Sequence, residues 1–175
     1  MRALASSRSV AADKLQRIFE YRALLARRTD LRITLNEEEQ HELARLQEQL
    51  RGGVPRIDAR DVYTLVIDPW PAQLALAGRF VTGVVRNASG AGLAIETASP
   101  PALGEKVVLQ VANGQQNAEY TFPATVLWRV VSGTPSVGLA FHGVPTKAPI
   151  GRFSGVYAKD EVPAEVAAAA KRNAG

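Results

Sequence analysis

The chain has no cysteine and only two histidines, His41 and His142, among its 175 residues. Without thiols there is neither a disulfide framework nor a thiolate metal site. Two imidazoles so far apart in sequence do not suggest a His-based metal centre either. Aromatic residues make up 6% of the chain, too few for the stacking platform that single-stranded nucleic-acid binders use. The net charge of +4 is modest; it permits an anionic ligand without demanding a nucleic acid. No run of eighteen apolar residues occurs, so no membrane-spanning helix is expected. The stretch from Met1 to Ala12 carries Arg2 and Arg8 but no long apolar core, so no signal peptide is read there and a cytoplasmic location is expected. No Ser-His-acid trio and no metal-ligand spacing falls within one plausible site, so binding without a cofactor is expected rather than catalysis.

What is present fits one compact domain with an appendage. The apolar fraction of 46% is close to the globular average and supplies a core. Leu15, Ile18, Phe19, Tyr21, Leu24 and Leu25 recur three and four apart between about Val10 and Arg28, which predicts an amphipathic helix. Thr34-x-x-Glu37 has the form of a capping box and predicts that a second helix starts at Thr34. Leu43, Leu46 and Leu50 form its stripe, and Gly52-Gly53 ends it. The short connector predicts a helical hairpin.

After Pro55 the pattern turns β-like. The expected strands are Tyr63–Ile67, Ala72–Ala77, Phe80–Arg86, Leu93–Glu96, Lys106–Val111, Ala118–Val131 and Ser136–His142, short segments separated by Gly, Pro, Asn and Ser. Gly78-Arg79 and Asn113-Gly114 are hairpin signals. This spacing predicts a closed or nearly closed antiparallel barrel. Trp70, between Pro69 and Pro71, is expected at a bend as a packing anchor. Residues from Thr146 to Asp160 read as loop, followed by a short helix that Pro163 opens. The expected organisation is a hairpin over 1–53, a barrel over 54–145, and a loop with a short helix over 146–175.

Two motifs carry the chemistry. Arg56-x-x-x-Arg60 places two guanidiniums on a loop entering the barrel. Each is a planar fork that binds phosphate oxygens bidentately and matches the O6/N7 edge of guanine. Asn87-x-Ser89-x-x-Gly92 follows a strand and offers an amide, a hydroxyl and a bare backbone. Together they suit a phosphorylated purine. Either motif alone has a plainer reading, as solvated surface or as an ordinary turn. Asn87-Ala88-Ser89 also matches a glycosylation acceptor, which needs a secreted protein.

Taken in this order, with these flanking strands, residues from Arg56 to about Pro145 resemble the PilZ domain, a bacterial receptor domain for cyclic di-GMP. The resemblance rests on Arg56-Ile-Asp-Ala-Arg60, on Asn87-Ala-Ser-Gly-Ala-Gly92, and on Phe80–Ile95, Ala124–Val130 and Val137–Phe141 as the surrounding strands. It covers about half the chain and implies an antiparallel PilZ-like barrel of six to seven strands; it says nothing specific about the N-terminal helical hairpin, which with the short C-terminal helix is read from the pattern, so the expected class is α+β. It also implies that Arg56 and Arg60 grip the guanines and phosphates of cyclic di-GMP. Asn87 and Ser89 would hydrogen-bond the ligand, and Gly92 would keep the turn open. Trp128 lies where some members place an aromatic near a base, and it serves equally as a barrel packing residue. Many members carry a further Arg just before the first motif; this chain has Pro55, which leaves open one ligand molecule or a stacked pair.

The functional expectation is a cytoplasmic second-messenger receptor acting in motility or biofilm regulation. Ligand would order the Arg56–Arg60 loop onto the Asn87–Gly92 rim, and the N-terminal helices would meet a protein partner or a second copy. The alternative is a PilZ-like interaction adaptor that binds no nucleotide. A nucleic-acid binder ranks last.

Overall fold

A computed structural model of the chain describes residues 2–57 and 70–150. The expected strand Tyr63–Ile67, Arg60 and the C-terminal helix lie outside them. Among the described residues two helices, α1 (Arg2–Thr29) and α2 (Glu37–Gln49), precede seven strands: β1 (Trp70–Leu76), β2 (Arg79–Ala88), β3 (Gly92–Glu96), β4 (Lys106–Asn113), β5 (Ala118–Val130), β6 (Ser136–Phe141) and β7 (Thr146–Pro149). All pairings are antiparallel, in the order β4-β1-β2-β3-β6-β5, and a β4–β5 ladder closes six strands into a barrel. The seventh strand adds to the free side of the start of β5. This is the expected PilZ-like α+β fold.

Alternation along β5 shows why the barrel has a core. Ala118, Tyr120, Phe122, Ala124 and Val126 are all buried, as a period of two requires when one face points inward. They join Leu74, Val85, Leu93, Ile95, Leu109 and Leu139 in one cluster. Helix α1 contributes Leu15 and Ile18 to the same cluster, with the Phe19 ring meeting Tyr120 edge-on at 5.6 Å. Tyr120 Oη and Lys147 Nζ both donate to Gln16 Oε1, at 2.7 and 2.6 Å, so polar contacts tie α1 to β5 and β7.

Several local expectations are corrected. The α1 helix begins at Arg2 rather than near Val10, because residues before the apolar stripe sustain helix without contributing to it. The cap of α2 is Asn36, not Thr34: Glu39 N donates to Asn36 Oδ1 at 2.8 Å and Asn36 N donates to Glu39 Oε2 at 3.0 Å. That frame lets Leu35 stay buried while the Gln40 amide donates to its carbonyl. Trp70 is not at a bend. It is the first residue of β1, opposite Val85, and is buried. Pro71 is tolerated there because the β1–β4 ladder starts only at Ala72, past the residue that has no N–H to donate. Finally, Thr146–Pro149 is strand rather than loop, its backbone paired with Ala118–Thr121.

Candidate functional site

The second motif occupies the β2–β3 connection. Ser89 N donates to the Gly92 carbonyl at 2.9 Å, and Ala91 N donates to Ser89 Oγ at 3.2 Å. Asn87 Oδ1 accepts from Ala88 N at 2.9 Å. The glycines are needed for close approach rather than for unusual dihedrals, since neither Gly90 nor Gly92 has positive φ. A Cβ on Gly92 would be driven into the backbone carbonyl of Leu139 on β6. A Cβ on Gly90 would lie 3.0 Å from the Tyr21 ring and 3.2 Å from Leu50 Cβ.

Those last contacts belong to the helical hairpin. Gly90 N donates to the Leu50 carbonyl at the end of α2, at 3.2 Å. Ser89 Oγ donates to the Gly53 carbonyl at 2.9 Å, and Val54 lies against Gly92. The motif turn is thus clasped by α1, by the α2 terminus and by the segment leading to Arg56. The sequence pointed to Tyr21 and Leu50 only as helix-stripe residues, to Gly53 only as a helix stop, and to Val54 not at all, because apolar and glycine positions near a helix end read as packing and stop signals. Arg56 itself is exposed, on an irregular segment two residues beyond Val54.

Two β-bulges set the neighbouring face. Between Val85 and Asn87 the β2–β3 register slips by one residue, and between Val126 and Trp128 the β5–β6 register does the same. A bulge puts two successive residues on one side of the sheet. Val85, Ala88 and Val126 are buried in the barrel core, so Arg86 and Asn87, and likewise Leu127 and Trp128, share the outer face. The ladders then align Trp128, Gly138, Ala94 and Asn87 in one row across β5, β6, β3 and β2. At about 4.8 Å per strand, that row is about 14 Å long.

Its middle holds nothing larger than a methyl group, and the next row adds Gly92 and Ala140. The Trp128 indole lies across Gly138, where a Cβ would collide with it, and Trp128 Nε1 is buried with no hydrogen-bond partner among the described residues. Gly138 was also missed; an interior strand glycine is the available signal, marking close approach by another group.

The structure therefore brings together Asn87, Ser89, Gly92 and Trp128 on one wall, with the Arg56 segment fastened beside them. Arg60 lies outside the described residues. Arg86 is paired to Glu96, Nε to Oε2 at 2.7 Å, so its charge is locally balanced. Arg22 on α1 sits 5.9 Å over the Phe141 ring, and burial lowers its pKa from the ordinary arginine value. Among the described residues no group of three His, Cys, Asp or Glu could hold a metal ion. No helix among them is long and apolar enough to cross a membrane.

A family model described as the PilZ domain matches residues 56–153. No curated protein matches the chain.

Proposed function

The chain belongs to the PilZ domain family, and from that premise we propose that it is a receptor for cyclic di-GMP, with Arg56, Arg60, Asn87, Ser89, Gly92 and Trp128 as the ligand-binding set. The observation that carries this reading is the clasp on the motif turn: the segment bearing Arg56 is fastened to Ser89 and Gly92, on the wall where Trp128 and Asn87 share a row. The two guanidiniums take the phosphates and guanine edges as bidentate forks. Asn87 and Ser89 supply directional hydrogen bonds, and the bare Gly92 backbone lets the ligand approach. Trp128 offers a flat apolar wall to a purine. The protein works by binding, and no step of covalent chemistry is involved.

Signal transmission follows from the same contacts. The Ser89 hydroxyl has one proton, now given to the Gly53 carbonyl. A ligand oxygen that accepts this proton replaces the direct Ser89–Gly53 bond by contacts running through the ligand to Arg56 and Arg60. The loop between the arginines is ordered on the rim, and the hold on α2 through Leu50 changes with it. Ligand shifts the population because it binds the two arrangements with different affinity. The changed hairpin is what a protein partner in motility or biofilm control reads.

Isothermal titration of cyclic di-GMP into the wild type and into Arg56→Ala/Arg60→Ala, with GTP as control, tests the reading. Saturable heat with the wild type, lost in the double variant, is expected, and the stoichiometry separates one ligand from a stacked pair. No heat with folded wild type would refute the receptor and leave an interaction adaptor.

A further inference from the structure

At the end of the hairpin away from the Ser89 clasp, α1, the connector and α2 enclose an open groove of about 580 Å³. Its lining includes the exposed Ile33 over a floor of buried Leu35 and Leu43, and Arg28 and Arg32 as its charged groups, with no carboxylate. Neighbouring arginines are neutralised: Arg27 pairs with Glu39, and Arg45 with Glu42. Arg28 and Arg32 have no ion pair among the described residues. Ile33 is 42% exposed and the adjoining Leu31 51%. The groove calls for a segment that is apolar and acidic at once.

The chain carries such a segment. Asp160, Glu161 and Glu165 are interspersed with Val162, Pro163, Ala164 and Val166, in a stretch that Lys159 precedes and Lys171-Arg172 follow, and Pro163 suits the first turn of a helix with acids at its start. It is also within reach. Strand β7 is fastened to α1 where Lys147 Nζ meets Gln16 Oε1. Arg28 lies twelve residues further along that helix, about 18 Å at 1.5 Å per residue. The ten residues from Ile150 to Asp160 extend to about 33 Å.

We infer that the C-terminal segment around Asp160–Val166 docks in the α1–α2 groove of its own chain, Val162 and Val166 against Ile33, its carboxylates against Arg28 and Arg32. This is a helix-in-groove contact made within one molecule, and it does not depend on the nucleotide reading. It gives the hairpin a clamp at the end remote from the Ser89 clasp.

The absence of native cysteine allows a clean test on the full chain. Ala44→Cys, in the groove, and Ala167→Cys are combined and treated with a short bis-maleimide, and the products are mapped by mass spectrometry. A cross-link within the monomer is expected. Adding Arg28→Glu/Arg32→Glu lowers its yield by about tenfold or more, the effect of losing roughly 1.4 kcal/mol. Adding Asp160→Lys/Glu161→Lys/Glu165→Lys alone, which leaves the hairpin untouched, does the same, and combining both charge reversals restores the yield. A cross-link found only between two copies, a yield indifferent to charge reversal, or no cross-link at all would each overturn the inference.

Discussion

Replacing Ser89 by alanine tests how firmly the motif turn holds the helical hairpin. The hydroxyl donates to the Gly53 carbonyl at 2.9 Å and accepts from Ala91 N at 3.2 Å, in a side chain only 9% exposed. Each hydrogen bond contributes about 0.5–1.5 kcal/mol net, and the two together about 1–3 kcal/mol. For a chain of this size each kcal/mol lowers Tm by roughly 2–4 °C. The loss should also be local. Gly90 N, bonded to the Leu50 carbonyl at 3.2 Å, sits next to the deleted hydroxyl, so its amide exchange should accelerate more than that of a barrel amide such as Leu93. Denaturant unfolding gives the global term and hydrogen exchange the local one. Unchanged stability together with unchanged Gly90 protection would refute the claim that this bond anchors the hairpin. A uniform rise in exchange across barrel and turn would show that Ser89 supports the fold at large rather than the clasp.

Gly92→Ala should be far more disruptive, costing about 3 kcal/mol or more, because its Cβ meets the Leu139 backbone, which cannot rotate away as a side chain can; thermal melts check this, and a fall under 1 kcal/mol would contradict the strand spacing. Asn36→Ala should cost about 0.5–2 kcal/mol through loss of the α2 cap, with helicity lost selectively around residues 37–40 by NMR chemical shifts. The Glu39 carboxyl is held below the usual carboxylate range, first by the Asn36 backbone amide and then by Arg27. Its support for the cap is therefore present above the unfolded value of 4.5 and lost as pH falls through the lower folded value, visible as loosening of α2 in an acid titration that Glu39→Gln should flatten. Glu119 is 0% exposed and neither carboxylate oxygen finds a hydrogen-bond donor among the described residues, so Glu119→Met should raise stability by about 1–3 kcal/mol; a drop in Tm would mean that the carboxylate is structurally used.

The parts of the fold that could be read in advance are those set by local pattern. The strands at Phe80–Arg86, Leu93–Glu96 and Ser136–His142 were visible because their apolar residues and bounding turns act over a few residues. Leu43, Leu46 and Leu50 showed the buried face of α2 by spacing alone. What escaped depends on partners distant in sequence. Strand β7 has four residues flanked by Pro145 and ending in Pro149, no strand signal by itself, and it exists because the free side of β5 supplies its hydrogen bonds. The cap failed for a different reason: Thr34…Glu37 and Asn36…Glu39 are overlapping frames of equal chemistry, decided by the burial of Leu35.

The motif residues of the site were readable as types. The alignment of Trp128 with Asn87 was not, because it requires three ladders and two register slips at once. Nor was the reason for Gly92, which lies in the backbone of β6 rather than in its own dihedrals.

The two bulges have a consequence for what an intact motif guarantees. Each works as a phase slip, an odd residue inserted into a code whose letters alternate between inside and outside. Pair the strands without the slip, and Leu127 falls opposite Gly138 and Arg86 opposite Ala94, with Trp128 and Asn87 turned inward. The chain would keep its arginine pair, and its asparagine, serine and glycine in their accustomed order, yet Trp128 or Asn87 would leave the shared wall. Competence is thus stored partly in the pairing register of the strands, which the motif residues do not themselves specify.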